Sequence, residues 1–230
     1  CNVNAALYQL SYVSRFSLYE RGLILAYSLF HNTKVVNLLK IIGGFFLDMI
    51  ETAVFALSIF VLVYVFLAQP HQVSGNSMYP NFHTGEYLLT NKLAYRLGVP
   101  RRGDVIVFKA PAGAHCPTGG ACDFIKRIIG EPGDRITLRA GKFYINGQPF
   151  DEPYLNPSLS TPGDAYLSEG QEVTLGEDEY FVAGDNRLGS SDSRAWGPIT
   201  TGSIVGRAWI RYWPLRELGV IPNYLPVNAR

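Results

Sequence analysis

Three short stretches hold the residue types that acyl transfer requires. "SGNSMYP" (74–80) presents Ser77 behind Gly75 and ahead of Met78 and Pro80. "FIKRIIGEPGD" (124–134) presents Lys126, and "GDNRLGSSDSRAWG" (184–197) presents Ser190, Asp192 and Arg194. A serine hydroxyl is a weak nucleophile until a neighbouring base takes its proton. Lysine can be that base only when neutral, and with an ordinary pKa of about 10.4 its neutral form costs about 4.6 kcal/mol at pH 7. Burial disfavours the ammonium ion and lowers that cost. The flanks suit burial: Phe124, Ile125, Ile128 and Ile129 surround the Lys126-Arg127 pair. On a strand, Phe124, Lys126 and Ile128 share one face. Arg127 then takes the other, where it can meet a carboxylate such as Asp192.

Each stretch also has a plainer reading. Ser77 beside a glycine can be a turn residue, Lys126 an exposed strand lysine, and the third stretch a polar loop whose Asp and Arg merely pair. His71, His83 and His115 offer a Ser-His-Asp scheme by composition, although none stands in a motif.

The elements that must position these residues fall into two kinds. Thr52 to Gln69, "TAVFALSIFVLVYVFLAQ", carries no charge and is close to the roughly 20 residues that cross about 30 Å of hydrocarbon as a helix. It lies too far from the N-terminus for a cleavable leader. Lys40, Asp48 and Glu51 interrupt the apolar character upstream, so that part lies at the interface or continues the helix beyond it. Arg15, Arg21, Lys34 and Lys40 precede the span, and no Lys or Arg follows it until Lys92. The positive-inside bias therefore predicts a cytoplasmic N-terminus and places 70–230 outside. The expected division is an N-terminal cytoplasmic or interfacial segment (1–51), a transmembrane helix (52–69) and an extracytoplasmic β-rich domain (70–230).

After the span, short alternating or β-branched runs recur, such as "GDVIVFKA", "DRITLRA" and "EYFVAGD", separated by Gly, Pro, Asn and Asp. Asn146-Gly147 is a strong hairpin signal. Residues 151–170 read as a long surface excursion, and Lys92 to Leu97 as a short helical turn. The predicted fold class is mostly β: an antiparallel β-sheet domain tethered by one N-terminal transmembrane helix.

These segments, in this order behind a spanning helix, resemble the type I signal peptidases (leader peptidases), the Ser-Lys serine proteases of bacterial and organellar membranes. The resemblance covers roughly residues 55–214, including "RGDVIVF", "KRIIGEPGD" and "GDNRLGSSDSR". It implies that Ser77 is the nucleophile, Lys126 the general base, Ser190 a hydrogen-bond partner of the lysine amine, and Asp192 and Arg194 a supporting ion-pair group. The Ser77 N–H would hold the oxyanion. Where some members use a serine hydroxyl two residues before the nucleophile, this chain has Gly75. The implied partners are the signal peptides of exported preproteins and the lipid bilayer, in a plasma (inner) or thylakoid membrane. No cofactor or metal is implied.

The totals agree with that reading. Lys and Arg number 20 against 19 Asp and Glu, for a net charge of +1, which gives no support to a nucleic-acid partner. A hydrophobic share of 47% with a mean hydropathy of +0.07 reflects one concentrated run. Two cysteines in "CPTGGAC", Cys116 and Cys122, are too few for a zinc site. They are a disulfide or two free thiols, and an outside location favours the disulfide. The chain opens on Cys1 with methionine only at 49 and 78, which reads as a processed or shortened form. Two other rivals remain. A self-cleaving Ser-Lys repressor would need a DNA-binding helical domain where the span lies. A non-enzymatic anchored β domain gives no reason for the three stretches to co-occur.

Overall fold

The computed structural model describes residues 20–25, 27, 33–114, 116 and 122–224. His115 and Arg15 lie outside the described residues. The chain divides into two compact units, Cys1–Val61 and Leu62–Arg230. Helix α1 (Thr33–Phe66) has 34 residues, none of them buried. It is the one helix among the described residues long and apolar enough to cross a membrane.

The expected span boundary needs correction. Residues 68 and 69 are not helical, because strand β1 (Ala68–Gln72) already pairs there with β2 (Tyr87–Asn91), Ala68 opposite Asn91. The apolar composition runs on past the helix end, but Pro70 pushes its predecessor out of the helical region. Pro70 is tolerated in β1 because that strand lies at the sheet edge.

Two antiparallel sheets build the second unit. The larger, of eight strands, runs β1–β2–β11–β3–β4–β9–β10, with β12 also paired to β11. Its remaining members are β3 (Val105–Lys109), β4 (Asp123–Gly130), β9 (Glu179–Ala183), β10 (Ile199–Thr200), β11 (Ile204–Trp213) and β12 (Gly219–Val220). The smaller sheet, β7–β6–β5–β8, comprises β5 (Arg135–Arg139), β6 (Lys142–Ile145), β7 (Gln148–Pro149) and β8 (Glu172–Thr174). Asn146 (φ 53°) and Gly147 (φ 80°) turn β6 into β7, the positive-φ pair that a two-residue hairpin demands. The second unit also carries two short α-helices, α2 (Ala94–Leu97) and α3 (Ser193–Trp196).

Residues 151–170 form the expected surface excursion, irregular and mostly exposed, but it is anchored at a few points. Tyr154, Thr161 and Leu167 within them are buried, and Glu152 pairs with the fully buried Arg187. A buried guanidinium requires such a partner, so the excursion is pinned to the domain there. Cys116 and Cys122 are joined by a disulfide just before β4.

Candidate active site

Strand β4 sets the direction of Lys126. Its register with β3 puts Lys126 opposite Ile106 and Phe124 opposite Phe108. Ile106, Phe108, Ile128 and Phe124 belong to one apolar cluster. Arg127, opposite Val105, takes the other face, so the alternation expected from sequence holds. Lys126 is 4% exposed, and burial pulls its pKa from 10.5 down to about 8, against the Asp192 and Asp185 carboxylates that favour the charged form.

Ser77 sits in the loop between β1 and β2, and its neighbour fixes it. Met78 is buried with Val73, Phe82, Leu88 and Val105, so the apolar side chain anchors the loop while Ser77 remains half-buried. Val73 N–H donates to Glu86 (2.8 Å), Gly85 N–H to Val73 (2.9 Å) and Phe82 N–H to Met78 (3.0 Å). Gly75 turns at φ +89°, a conformation that favours glycine. With the loop held this way, Lys126 Nζ lies 2.7 Å from Ser77 Oγ and 3.1 Å from the Ile125 carbonyl oxygen. The Ser77 N–H donates to no acceptor among the described residues.

A third segment closes on the loop from behind. Asn186 N–H donates to the Ser77 carbonyl (3.0 Å), and Asn186 Nδ2 to the Asn76 carbonyl (3.0 Å). A Cβ on Gly184 would collide with Ser190 Oγ and the Ser77 carbonyl oxygen, so only glycine permits this approach.

Two buried ion pairs hold the segment. Asp192 and Arg194 form a two-pronged pair at 2.8 Å on both prongs, and the Gly184 N–H donates to Asp192 at 3.0 Å. Burial alone would raise the Asp192 carboxyl, yet the Arg194 guanidinium and the Gly184 N–H hold its pKa below the usual value. Arg127 departs from expectation. It meets Asp185 rather than Asp192, through Nε (2.9 Å) and Nη2 (2.7 Å). The reason is register: β4 pairs β9 with Arg127 opposite Ala183, which brings Asp185 within reach, while Arg194 already occupies Asp192. Asn81 also donates to Asp185 (2.8 Å), tying the pair back to the Ser77 loop.

Ser190 departs too. Its Oγ makes no hydrogen bond of good geometry, although it stands close enough to Asp192 to favour the ionised carboxylate. The Lys126 amine bonds Ser77 and Ile125 instead. Asp185, Asn186, Gly184 and Arg187 escaped the sequence reading of roles. They stand inside the quoted 184–197 stretch, but nothing local marks which of its polar residues are buried.

His71 Nδ1 lies 2.9 Å from Thr90 Oγ1, and its Nε2 3.4 Å from Asp123. His83 pairs with Glu86 at 3.3 Å. Neither ring is hydrogen-bonded to Ser77, so no described histidine completes a Ser-His-Asp array. A cleft of about 280 Å³ opens on Ser77 and Lys126, walled by His71 to Asn76 on one side and Asp123 to Lys126 on the other. Asp123 to Lys126 pair with β3 alone, since β9 joins β4 only from Arg127, and β1 pairs with β2 alone. The cleft thus lies between two strand edges beside a desolvated amine and a hydroxyl.

Comparison with known proteins gives a consistent result. The family model for "Signal peptidase, peptidase S26" matches residues 46–213. A probable signal peptidase I-2 of Synechocystis is 34% identical over 77% of this chain and 78% of its own length. A signal peptidase I of Bacillus caldolyticus is 39% identical over 66% of this chain and 84% of its own. A signal peptidase IB of Staphylococcus aureus is 33% identical over 80% and 97%. A crystal structure of an Enterococcus faecalis signal peptidase I aligns at 29% identity over 47% of this chain and 95% of that one, with a TM-score of 0.35.

Proposed function

The chain belongs to the signal peptidase family, peptidase S26, and from that membership we propose that it removes signal peptides from exported preproteins by a Ser-Lys acyl-enzyme mechanism. The observation that carries this reading is the 2.7 Å approach of a 4%-exposed Lys126 amine to Ser77 Oγ. Neutral Lys126 takes the Ser77 proton as Oγ attacks the scissile carbonyl, and the ammonium then returns that proton to the departing amine. Water, deprotonated by the same amine, hydrolyses the ester. The Ser77 N–H, which has no acceptor among the described residues, stabilises the oxyanion, and Gly75 supplies the turn before it. Ser190, whose hydroxyl stands beside Asp192 without a well-formed hydrogen bond, is available to partner the amine once Ser77 is esterified. Asp192, Arg194 and the Arg127–Asp185 pair position the Ser77 backbone through Gly184 and Asn186.

An extended substrate pairs with the two free strand edges, which offer main-chain hydrogen bonds along the cleft. Helix α1 crosses the bilayer with its N-terminus cytoplasmic. A crossing of about 20 residues that ends at Phe66 reaches back to Leu47, so Asp48 and Glu51 fall in its first two turns, at the cytoplasmic end. The Cys116–Cys122 disulfide supports an oxidising, extracytoplasmic side for the β domain. The membrane is a plasma or thylakoid membrane.

The test is cleavage of a preprotein by the full chain in detergent. Ser77→Ala and Lys126→Ala should each lose at least about a thousandfold in kcat. Full activity in Lys126→Ala, or loss only in His71→Ala or His83→Ala, would overturn the mechanism.

A further inference from the structure

Away from the proposed catalytic cleft, a second cavity of about 320 Å³ lies against the last turn of α1 and is lined by Val65, Lys92, Arg96 and Lys109 together with the 201–205 segment. No Asp or Glu lines it. None of the three cations stands in an ion pair within 4.0 Å among the described residues. Asp123 is opposite Lys109 in the β3–β4 register, but its ion-pair contact is His71.

Two of these side chains, Lys92 and Arg96, reach the end of the apolar helix, and Lys109 lines the same cavity. Lys92 Nζ is 3.5 Å from the Tyr64 and Val65 carbonyl oxygens, where it offsets the negative end of the helix. Its ammonium also stands 5.8 Å from the Tyr64 ring centroid, and the Arg96 guanidinium 5.5 Å from that of Phe66. Aromatic rings at a helix end mark the headgroup layer, and cations there attract anionic lipid.

The geometry points to a binding site for the phosphate of an anionic lipid headgroup, held by Lys92, Arg96 and Lys109 at the outer membrane surface. The inference rests on the proposed bilayer crossing of α1, which sets the depth of the cavity. The ligand chemistry is a phosphate ester with a net negative charge. A lipid rather than free phosphate is favoured because Val65 and the aromatic helix end supply an apolar wall for the glycerol and acyl portion.

The full chain in a neutral detergent is titrated calorimetrically with short-chain phosphatidylglycerol, short-chain phosphatidylcholine and inorganic phosphate. Phosphatidylglycerol should bind saturably and phosphatidylcholine should not. Lys92→Gln, Arg96→Gln and Lys109→Gln should each weaken binding about fivefold, while peptide cleavage in detergent stays at the parent rate. Should a variant misfold, Lys92→Arg, Arg96→Lys or Lys109→Arg should restore both folding and binding. Undiminished phosphatidylglycerol affinity in all three Gln variants overturns the site. So does inorganic phosphate binding as tightly as the lipid, because the occupant would then be the free ion. Protease protection of the β domain in sealed vesicles tests the crossing separately, so failure of the cavity and failure of the topology give different results.

Discussion

With its pKa near 8, the Lys126 amine is neutral in about a tenth of molecules at pH 7, a cost of about 1.4 kcal/mol instead of about 4.6. The proposed base must be neutral, so kcat/KM on a model peptide should rise about tenfold per pH unit below 8 and level off above it. A profile still climbing near pH 10 would show an ordinary lysine. The same depression acts on stability with a definite sign. Between about pH 8 and 10.5 the folded chain holds fewer protons than the unfolded one, so stability rises with pH through that window. Below 8 the full burial cost remains, 2.5 units from 10.5 to about 8, or about 3 kcal/mol. Lys126→Met should therefore be more stable than the parent at pH 7, by about 1–3 kcal/mol once the lost hydrogen bonds are counted, with the gain fading towards pH 10.5. Denaturant titrations at pH 7 and 10 check this. Lys126 was legible in the sequence because its burial follows from its own apolar neighbours. The placing of the Ser190 hydroxyl beside Asp192 was not, because its surroundings are set by where 184–194 folds back.

At the level of strands and loops, the site depends on contacts made across long stretches of chain. Arg127 and Asp185, 58 residues apart, are 1% and 0% exposed, and removing one partner strands the other as an unpaired buried charge. Asp185→Ala should cost about 3–5 kcal/mol, read as a lower denaturation midpoint, and should loosen the Asn186 bond to Ser77. Gly184→Ala tests the backbone approach itself. The added methyl meets both Ser190 and the Ser77 carbonyl, so the loop must move. The expected outcome is a kcat loss of about a hundredfold with a stability loss of only about 1–3 kcal/mol. A folded Gly184→Ala variant with parental kcat would show that this close packing does not position the nucleophile. The β4 alternation was readable from residue types, whereas the choice of Asp185 over Asp192 required the β4–β9 register, which no local pattern encodes. The anchoring of the 151–170 excursion was hidden for the same reason: Glu152 looks like a loop carboxylate until Arg187 is found beside it.

Across the whole molecule, the antiparallel β class and the single apolar helix were visible as alternating runs and one long charge-free segment. The end of the helix was not, because "LAQP" continues the apolar composition while its backbone is recruited by β2. That division of labour has a measurable consequence. Every buried residue in the three apolar clusters lies between Val73 and Ala208, and α1 contributes none. Among the described residues, folding free energy that scales with buried apolar area therefore lies almost entirely in the second unit. A chain starting at Leu62 should unfold at a midpoint within a few degrees of the full chain and cleave a soluble peptide at a similar kcat/KM. It should process a membrane-inserted preprotein in vesicles far more slowly, because the helix supplies the effective concentration that brings cleft and substrate together at one surface. Calorimetry and the two cleavage assays on the shortened chain separate these effects. Equal rates on the inserted preprotein would show that the helix does not localise catalysis, and a collapsed midpoint would show that it takes part in the core.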